Sequence, residues 1–288
     1  MNDTICLVTG ANAGIGLETA RALTARGATV VMAGRDRRKV ESAVEEVGRT
    51  APSGRVEPLV CDLASMRSVH DAAAELRSRH AKLDVVINNA GLFLSDRIVT
   101  ADGFESTIAI NHLGHFLLTH LLRDSILASG AARVVNVSSN AHYSAKGIDV
   151  DDLHAERRRY TGVRAYAESK LANVLYTRAL ARRWSGRGVT VNAVHPGVVN
   201  TRIAADGDAR GLIRLLWDLG RPFMLTPAEG AKTTLHVATS EEGGSVNGRY
   251  FVKAKQQRPS RHALDDALAE RLWDASERML GIAGSHGS

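Results

Sequence analysis

Ile5-Cys6-Leu7-Val8-Thr9-Gly10-Ala11-Asn12-Ala13-Gly14-Ile15-Gly16 lies close to the start of the chain and runs directly into an amphipathic helical pattern. The apolar run makes a buried strand, the glycines let the backbone turn tightly and approach a ligand, and the helix that follows aims free N–H groups at an anion. Such a stretch reads as a phosphate-binding turn, and a dinucleotide pyrophosphate is its natural occupant. The spacing through Gly10, Gly14 and Gly16 is G-x-x-x-G-x-G, which differs from the G-x-G-x-x-G fingerprint of the longer-chain dinucleotide domains.

Further strand-like runs follow at 29–33, 56–60, 84–87, 132–137 and 189–194, with a last short one at 248–252 and helical stretches between them. Their continuous Val, Ile and Leu content, without polar alternation, is that of strands covered on both faces. The pattern predicts an α/β fold: one doubly wound Rossmann-type domain over residues 1–288, with a parallel sheet of about seven strands. In such sheets ligands bind just beyond the strands' C-terminal ends. A final helix at 265–280 carries Leu268, Leu272, Trp273 and Met279 on an apolar stripe suited to packing.

Composition agrees with layered strands and helices. Of the 288 residues 44% are hydrophobic and only 5% aromatic, so the core must be built from small aliphatic side chains. The net charge of +6 includes the runs Arg37-Arg38-Lys39 and Arg157-Arg158-Arg159, which read as solvated faces. No aromatic interleaving accompanies them, so a nucleic-acid partner is not expected. Cys6 and Cys61 are too few for a disulfide framework or a zinc site, which points to a reducing compartment. His112 and His115 lack a third ligand, so no metal is expected. The chain enters its first strand at once and has no apolar run of the ~20 residues that a membrane helix needs. A cytoplasmic protein without an integral membrane segment is the expectation.

The strand ends carry the candidate chemistry. Arg35 follows the second strand, where an adenine ribose would lie, and an arginine there pairs with a 2′-phosphate. NADP(H) is therefore favoured over NAD(H), while Asp36 suits an N-cap. Asp62-Leu63 and Asn88-Asn89-Ala90-Gly91 follow the third and fourth strands, where they can bond an adenine edge or stiffen the turns. A helix expected from Asp102 carries Asn111 in its middle, an unfavourable position that reads as a kink. The fifth strand ends in Ser138-Ser139, and the next long helix carries Tyr166 and Lys170, four apart and so on one face. A cation about 4 Å from a phenol in a partly dry site contributes roughly 4 kcal/mol, enough to lower the phenol pKa by up to about three units. A phenol so tuned works as an acid and base near neutrality.

Taken together, Thr9 to Gly16, Asn88 to Gly91, Asn111, Ser139, Tyr166 with Lys170, and Pro196-Gly197 resemble the short-chain dehydrogenase/reductase family, in order and over nearly the whole chain. The retinol-dehydrogenase-like branch is the most similar, through Ala90-Gly91, His142, the stretch Gly248-Arg249-Tyr250-Phe251 and Leu272-Trp273. The resemblance implies that Tyr166 gives or takes the proton at the reacting oxygen and that Ser139 hydrogen-bonds the same oxygen. It implies that Lys170 tunes the tyrosine and holds the nicotinamide ribose, and that Asn111 fixes a water in a proton relay. Gly10, Asn12, Ala13, Gly14, Ile15, Gly16, Arg35, Asp62, Leu63, Asn89, Ala90 and Gly91 would then hold the adenosine and pyrophosphate end of the cofactor. Pro196, Gly197, Val199 and Thr201 would hold its carboxamide end.

Two features depart from the family pattern. Ala13 stands where strongly NADP-preferring members often carry a basic residue. The interval of 26 residues between Ser139 and Tyr166 is long for the family, and an insertion there would border the substrate pocket. Residues 203–225 occupy the family's variable lid, and Leu212, Ile213, Leu215, Leu216 and Trp217 make it apolar, as suits a lipophilic carbonyl or alcohol. The same stripe would also suit packing on the core or on another subunit of a homo-oligomer. A nucleotide-sensing or structural protein on the same fold is the competing reading, and the intact Asn111, Ser139, Tyr166 and Lys170 argue against it.

Overall fold

The computed structural model describes residues 1–51, 53–199 and 224–282. Eight strands form one sheet: β1 (Ile5–Thr9), β2 (Thr29–Gly34), β3 (Arg55–Val60), β4 (Val85–Asn88), β5 (Ala132–Val137), β6 (Val189–His195), β7 (Tyr250–Val252) and β8 (Lys255–Gln257). Their spatial order is β3-β2-β1-β4-β5-β6-β7-β8, parallel throughout except for the β7–β8 pair. The order reverses between β1 and β4, which opens the crevice where a doubly wound sheet binds its ligand.

Alternate residues of each strand enter two separate cores. Leu7, Val31, Val86, Val134 and Val191 pack on one face with α3 (Met66–Arg79), α5 (Gly114–Leu121), α6 (Arg123–Leu127) and α7 (Gly162–Arg183). Cys6, Val8, Val30, Met32, Ile87, Val135 and Val194 pack on the other with α1 (Gly14–Thr24), α2 (Arg37–Thr50) and the Pro227–Thr239 helix. Each such aliphatic side chain, fully buried, contributes roughly 1.5–3 kcal/mol, which is why the strands read as continuous apolar runs. Both thiols are free and buried, and burial pushes each up to about 12. The last helix, Asp266–Leu280, buries Leu268, Leu272 and Trp273, half-buries Met279, and is capped by Asp265, which accepts from Leu268 N–H. Among the described residues no helix is long and apolar enough to cross a membrane.

The structure departs from the sequence expectation in three places, the edge of the sheet, the start of the helix before Asn111 and Arg158, and gives the kink expected at Asn111 its form. The sheet has an eighth strand, antiparallel to β7, joined through Lys253 and Ala254 at φ of 50° and 57°. Positive φ at both central residues is the geometry of a type I′ hairpin. Its residues Lys255, Gln256 and Gln257 are all exposed and carry no apolar signal. The helix expected from Asp102 begins instead at Ser106, because Glu105 caps it, while Asp102 accepts from Met66 N–H at the start of α3. Asn111 lies in a π-helical turn, Ala109–Leu113, between α4 (Ser106–Ile108) and α5. Arg158 is not a solvated residue, for its guanidinium pairs with the buried Glu168.

The long interval after Ser139 is folded against the body. Ile148, Leu153 and Ala155 are buried, His154 stacks on Phe104 with centroids 5.6 Å apart, and Arg97 Nε donates to His154 O at 2.7 Å. Glu105 joins this segment to the π-turn: its carboxylate accepts from Thr107 and Ile108 N–H, both at 2.8 Å, and from the Tyr160 hydroxyl at 3.0 Å. Thr201 and residues 203–223 of the proposed lid lie outside the described residues.

Glu105→Ala removes two helix-cap bonds and leaves the Tyr160 hydroxyl only Thr107 Oγ1 at 3.4 Å, so the expected loss of stability is about 2 kcal/mol. Thermal unfolding should show the midpoint falling by roughly 4–8 °C. An unchanged midpoint would mean that the cap contributes nothing.

Candidate active site

The site residues collect at the C-terminal ends of β1, β2, β4, β5 and β6. Gly10 and Gly14 hold φ of +64° and +57°, which a side chain would strain. A Cβ on Gly16 would run into Gly10 O, and one on Gly10 would lie 3.0 Å from Ala90 Cα. Ala13 is the N-cap of α1 and gives no side-chain cap, so the first N–H groups of the helix are left to face a ligand. Asn12 lies against the end of β2, where its Oδ1 would be 2.9 Å from a Cβ on Gly34. These residues fit a dinucleotide pyrophosphate: the cradle is backbone, positive in character and open to close approach.

Arg35 is exposed just past β2, and Asp36 caps α2 by accepting from Lys39 N–H at 3.2 Å. Asp62 stiffens its own turn, Oδ1 accepting from Ala64 N–H at 3.0 Å, and the buried Leu63 packs beneath Gly114. Asn89 Nδ2 donates to Thr9 O at 2.8 Å, and the N–H groups of Asn89 and Ala90 both donate to Thr9 Oγ1. On the β6 side, Gly197 adopts φ +94°, and Val199 packs with Ile15 and Ala231 in a small apolar cluster beside the turn. Pro196 is half-buried between them and the strand end.

Asn111 is fully buried and saturated: Oδ1 accepts from Leu92 N–H at 2.8 Å, while Nδ2 donates to Leu92 O at 3.0 Å and Ser169 Oγ at 2.9 Å. Lys170 is buried too, with Nζ donating to Val137 O at 3.3 Å and standing 5.6 Å from the centre of the Tyr166 ring. Gly91 sits between the two, since a Cβ there would be 3.1 Å from Lys170 Nζ and 3.2 Å from Asn111 Oδ1. The two serines part as adjacent strand residues should. Ser138 turns inward to donate to Lys170 O at 2.7 Å, while Ser139 Oγ accepts from Ala141 N–H at 3.2 Å and stands close enough to the Tyr166 phenol to lower its pKa in part.

Protonation differs from the sequence estimate. Burial raises the Tyr166 phenol above its ordinary value, and the Ser139 hydroxyl only partly offsets this. Burial also brings the Lys170 ammonium down to about 8. The lysine therefore does not act on the phenol as a bare cation at short range, and desolvation dominates both groups. His112 and His115 are packed rather than metal-poised. His112 Nε2 lies 2.9 Å from Ser276 Oγ and His115 Nε2 lies 2.8 Å from Thr9 Oγ1, and burial holds both imidazoles down to about 3.

Sequence reasoning missed three neighbours. Phe93 sets its ring edge-on to Tyr166 at 5.8 Å, and the only sequence signal was an aromatic just after Asn88 to Gly91. His195, the last residue of β6, accepts from Asn140 N–H at 3.3 Å. His115 bonds the glycine turn itself, a partnership that no spacing reveals.

A family model described as enoyl-(acyl carrier protein) reductase matches residues 10–252. Human retinol dehydrogenase 12 is 45% identical over 278 residues, covering 96% of this chain and 86% of that protein. Among solved structures, an uncharacterised protein from Mycobacterium Paratuberculosis superposes with a TM-score of 0.79 at 36% identity, covering 97% of this chain and 94% of that one. A protein described as an NAD(P) dependent gluconate 5-dehydrogenase from Beutenbergia cavernae, with bound NADP, gives 0.70 at 28% identity, covering 88% and 96%. The chain belongs to the short-chain dehydrogenase/reductase family, in its retinol-dehydrogenase-like branch, and is an NAD(P)-dependent oxidoreductase acting on CH–OH groups.

Proposed function

We propose that this protein interconverts a lipophilic alcohol and its carbonyl with preference for NADP(H), using Tyr166 as acid and base. The observation that carries the reading is the buried Tyr166 phenol with the Ser139 hydroxyl beside it and Lys170 one helical turn away, Nζ 5.6 Å from the ring centre. When bound, the nicotinamide supplies or accepts the hydride at carbon. Tyr166 delivers the phenol proton to the carbonyl oxygen in reduction and takes the hydroxyl proton in oxidation. Ser139 donates to the same oxygen as its charge develops. Lys170, at about 8, is able to pass a proton on near neutral pH, and Asn111 lies beside it across Gly91.

The cofactor is held by the turn from Gly10 to Gly16, by Asp62, Leu63, Asn89, Ala90 and Gly91 along its length, and by Pro196, Gly197, Val199 and Thr201 at its far end. Arg35 supports NADP(H) because it is exposed at the end of β2 while the neighbouring carboxylate, Asp36, is committed to capping α2. Phe93 against Tyr166, the exposed Val198, and the retinol dehydrogenases among the relatives all support a lipophilic substrate. The free Cys6 and Cys61 thiols support a cytoplasmic location.

Tyr166→Phe should lower turnover by at least about a thousandfold while dinucleotide binding, read by fluorescence titration, stays unchanged. Turnover that survives this change rules out the assignment. Arg35→Ser should raise the KM for NADPH roughly 10- to 100-fold and leave that for NADH within about threefold. Equal effects on both cofactors would remove Arg35 from the 2′-phosphate site.

The raised phenol pKa fixes the sign of the pH dependence. Oxidation needs the phenolate, so its kcat should climb through the alkaline range; reduction needs the phenol, so its kcat should hold through neutrality and fall at alkaline pH. Parallel profiles in the two directions would contradict Tyr166 as the shared group.

A further inference from the structure

We propose that His142 is a positioning residue for Ser139, holding its peptide in place and tying it to the C-terminal segment around Ser260. The inference rests on the reading of Ser139 as the hydroxyl that bonds the reacting oxygen. His142 is fully buried in the 3₁₀ turn Asn140–Tyr143, directly after that serine. Its Nδ1 lies 2.7 Å from Ser139 O, and its Nε2 lies 3.2 Å from Ser260 N. A carbonyl only accepts and a backbone N–H only donates, so one arrangement satisfies both bonds: a neutral ring with its proton on Nδ1. Burial favours that neutral form.

The ring has little freedom to leave this position. Tyr143 packs against it with centroids 4.1 Å apart and Tyr250 meets it edge-on at 4.9 Å. Tyr143 is itself anchored, its hydroxyl donating to Arg258 O at 2.7 Å. Ser139 O also accepts from His142 N–H at 3.1 Å, so one residue supplies both hydrogen bonds to this carbonyl. The adjoining Asn140 N–H is taken by His195 Nδ1 at 3.3 Å, and Ser138 N–H by Val194 O at 2.8 Å. The peptides flanking Ser139 are thus fixed from two directions, and Oγ, which accepts from Ala141 N–H at 3.2 Å, is held beside the Tyr166 phenol. With both ring nitrogens engaged, His142 has no free atom for the substrate, so its influence on the reaction passes through Ser139 alone.

Four variants of the full chain test this: His142→Leu, His142→Asn, Ser139→Ala and the double change Ser139→Ala with His142→Leu. His142→Leu should lower kcat at least about tenfold with dinucleotide Kd unchanged. His142→Asn places an amide N–H where Nδ1 stood and should recover kcat to within about threefold. In the Ser139→Ala background, His142→Leu should cause no further loss, because the group it positions is gone. The same fold loss in both backgrounds overturns the proposal, as does an unchanged kcat in His142→Leu. Where His142→Leu does not fold, His142→Gln replaces it: its longer amide reaches the Nε2 position and not Nδ1, so His142→Asn should exceed it in kcat by about tenfold. Equal kcat for these two overturns the proposal as well. Full turnover in Ser139→Ala would instead overturn the reading of Ser139 itself.

Discussion

One hydroxyl group joins the parts of this site that the chain brings from different strands. Thr9 Oγ1, at the end of β1, accepts from the N–H groups of Asn89 and Ala90 at 2.9 and 3.0 Å and lies 2.8 Å from His115 Nε2. His115 Nδ1 in turn lies 3.3 Å from Asn111 O. The Asn111 carbonyl can only accept, so Nδ1 carries the ring proton and Nε2 is left to accept from Thr9. A neutral imidazole is what this chain of bonds requires, and burial with no carboxylate partner supplies it. The glycine turn, the end of β4 and the π-turn are thereby set relative to one another through a single buried side chain. Valine would match its shape and leave the Ala90 N–H and an imidazole nitrogen unpaired, each costing about 1–3 kcal/mol, while Asn89 N–H would keep only Ile87 O at 3.0 Å.

The contrast between Tyr166 and Lys170 shows which electrostatic effect wins. Four residues of spacing place both on one face of α7, and a Coulomb estimate from spacing alone lowers the phenol. Inside the fold the ammonium is directed to Val137 O and sits 5.6 Å from the centre of the ring. Each group has also lost water, which disfavours phenolate and ammonium alike. The pair accordingly favours a protonated phenol and a lysine whose pKa of about 8 lies close to physiological pH. For the role proposed for Tyr166, that combination suits proton delivery: a donor that keeps its proton until a reacting oxygen draws it, with an exchangeable group behind it.

Much of the architecture was legible because parallel strands buried on both faces leave an unmistakable apolar signature, and because glycines at Gly10, Gly14 and Gly16 answer a backbone need that other residues cannot meet. Asp36 was legible as a cap for a similar reason, since its role is local. The features that escaped are those decided by tertiary contact. Lys255, Gln256 and Gln257 form a strand only because β7 offers them an edge. The π-turn at Asn111 depends on Leu92 and Ser169, which lie 19 and 58 residues away along the chain. His142 meets Ser260 across 118 residues, so neither one reveals the other in sequence.

The segment between Ser139 and Tyr166 is bound to the same helix that carries Tyr166. Glu168, buried one half-turn beyond Tyr166, pairs with Arg164 at 2.7 Å and with Arg158 from the segment. Removing either arginine would leave a buried carboxylate short of a partner, whereas a buried ion pair kept whole resists displacement. Tyr160 bonds Glu105 at the head of α4, so the segment is pinned at both the helix that holds Tyr166 and the one that leads to Asn111. Anchored as it is, the segment is held to α7 through Glu168 and to the head of α4 through Glu105, so its place in the fold is set by two buried carboxylates.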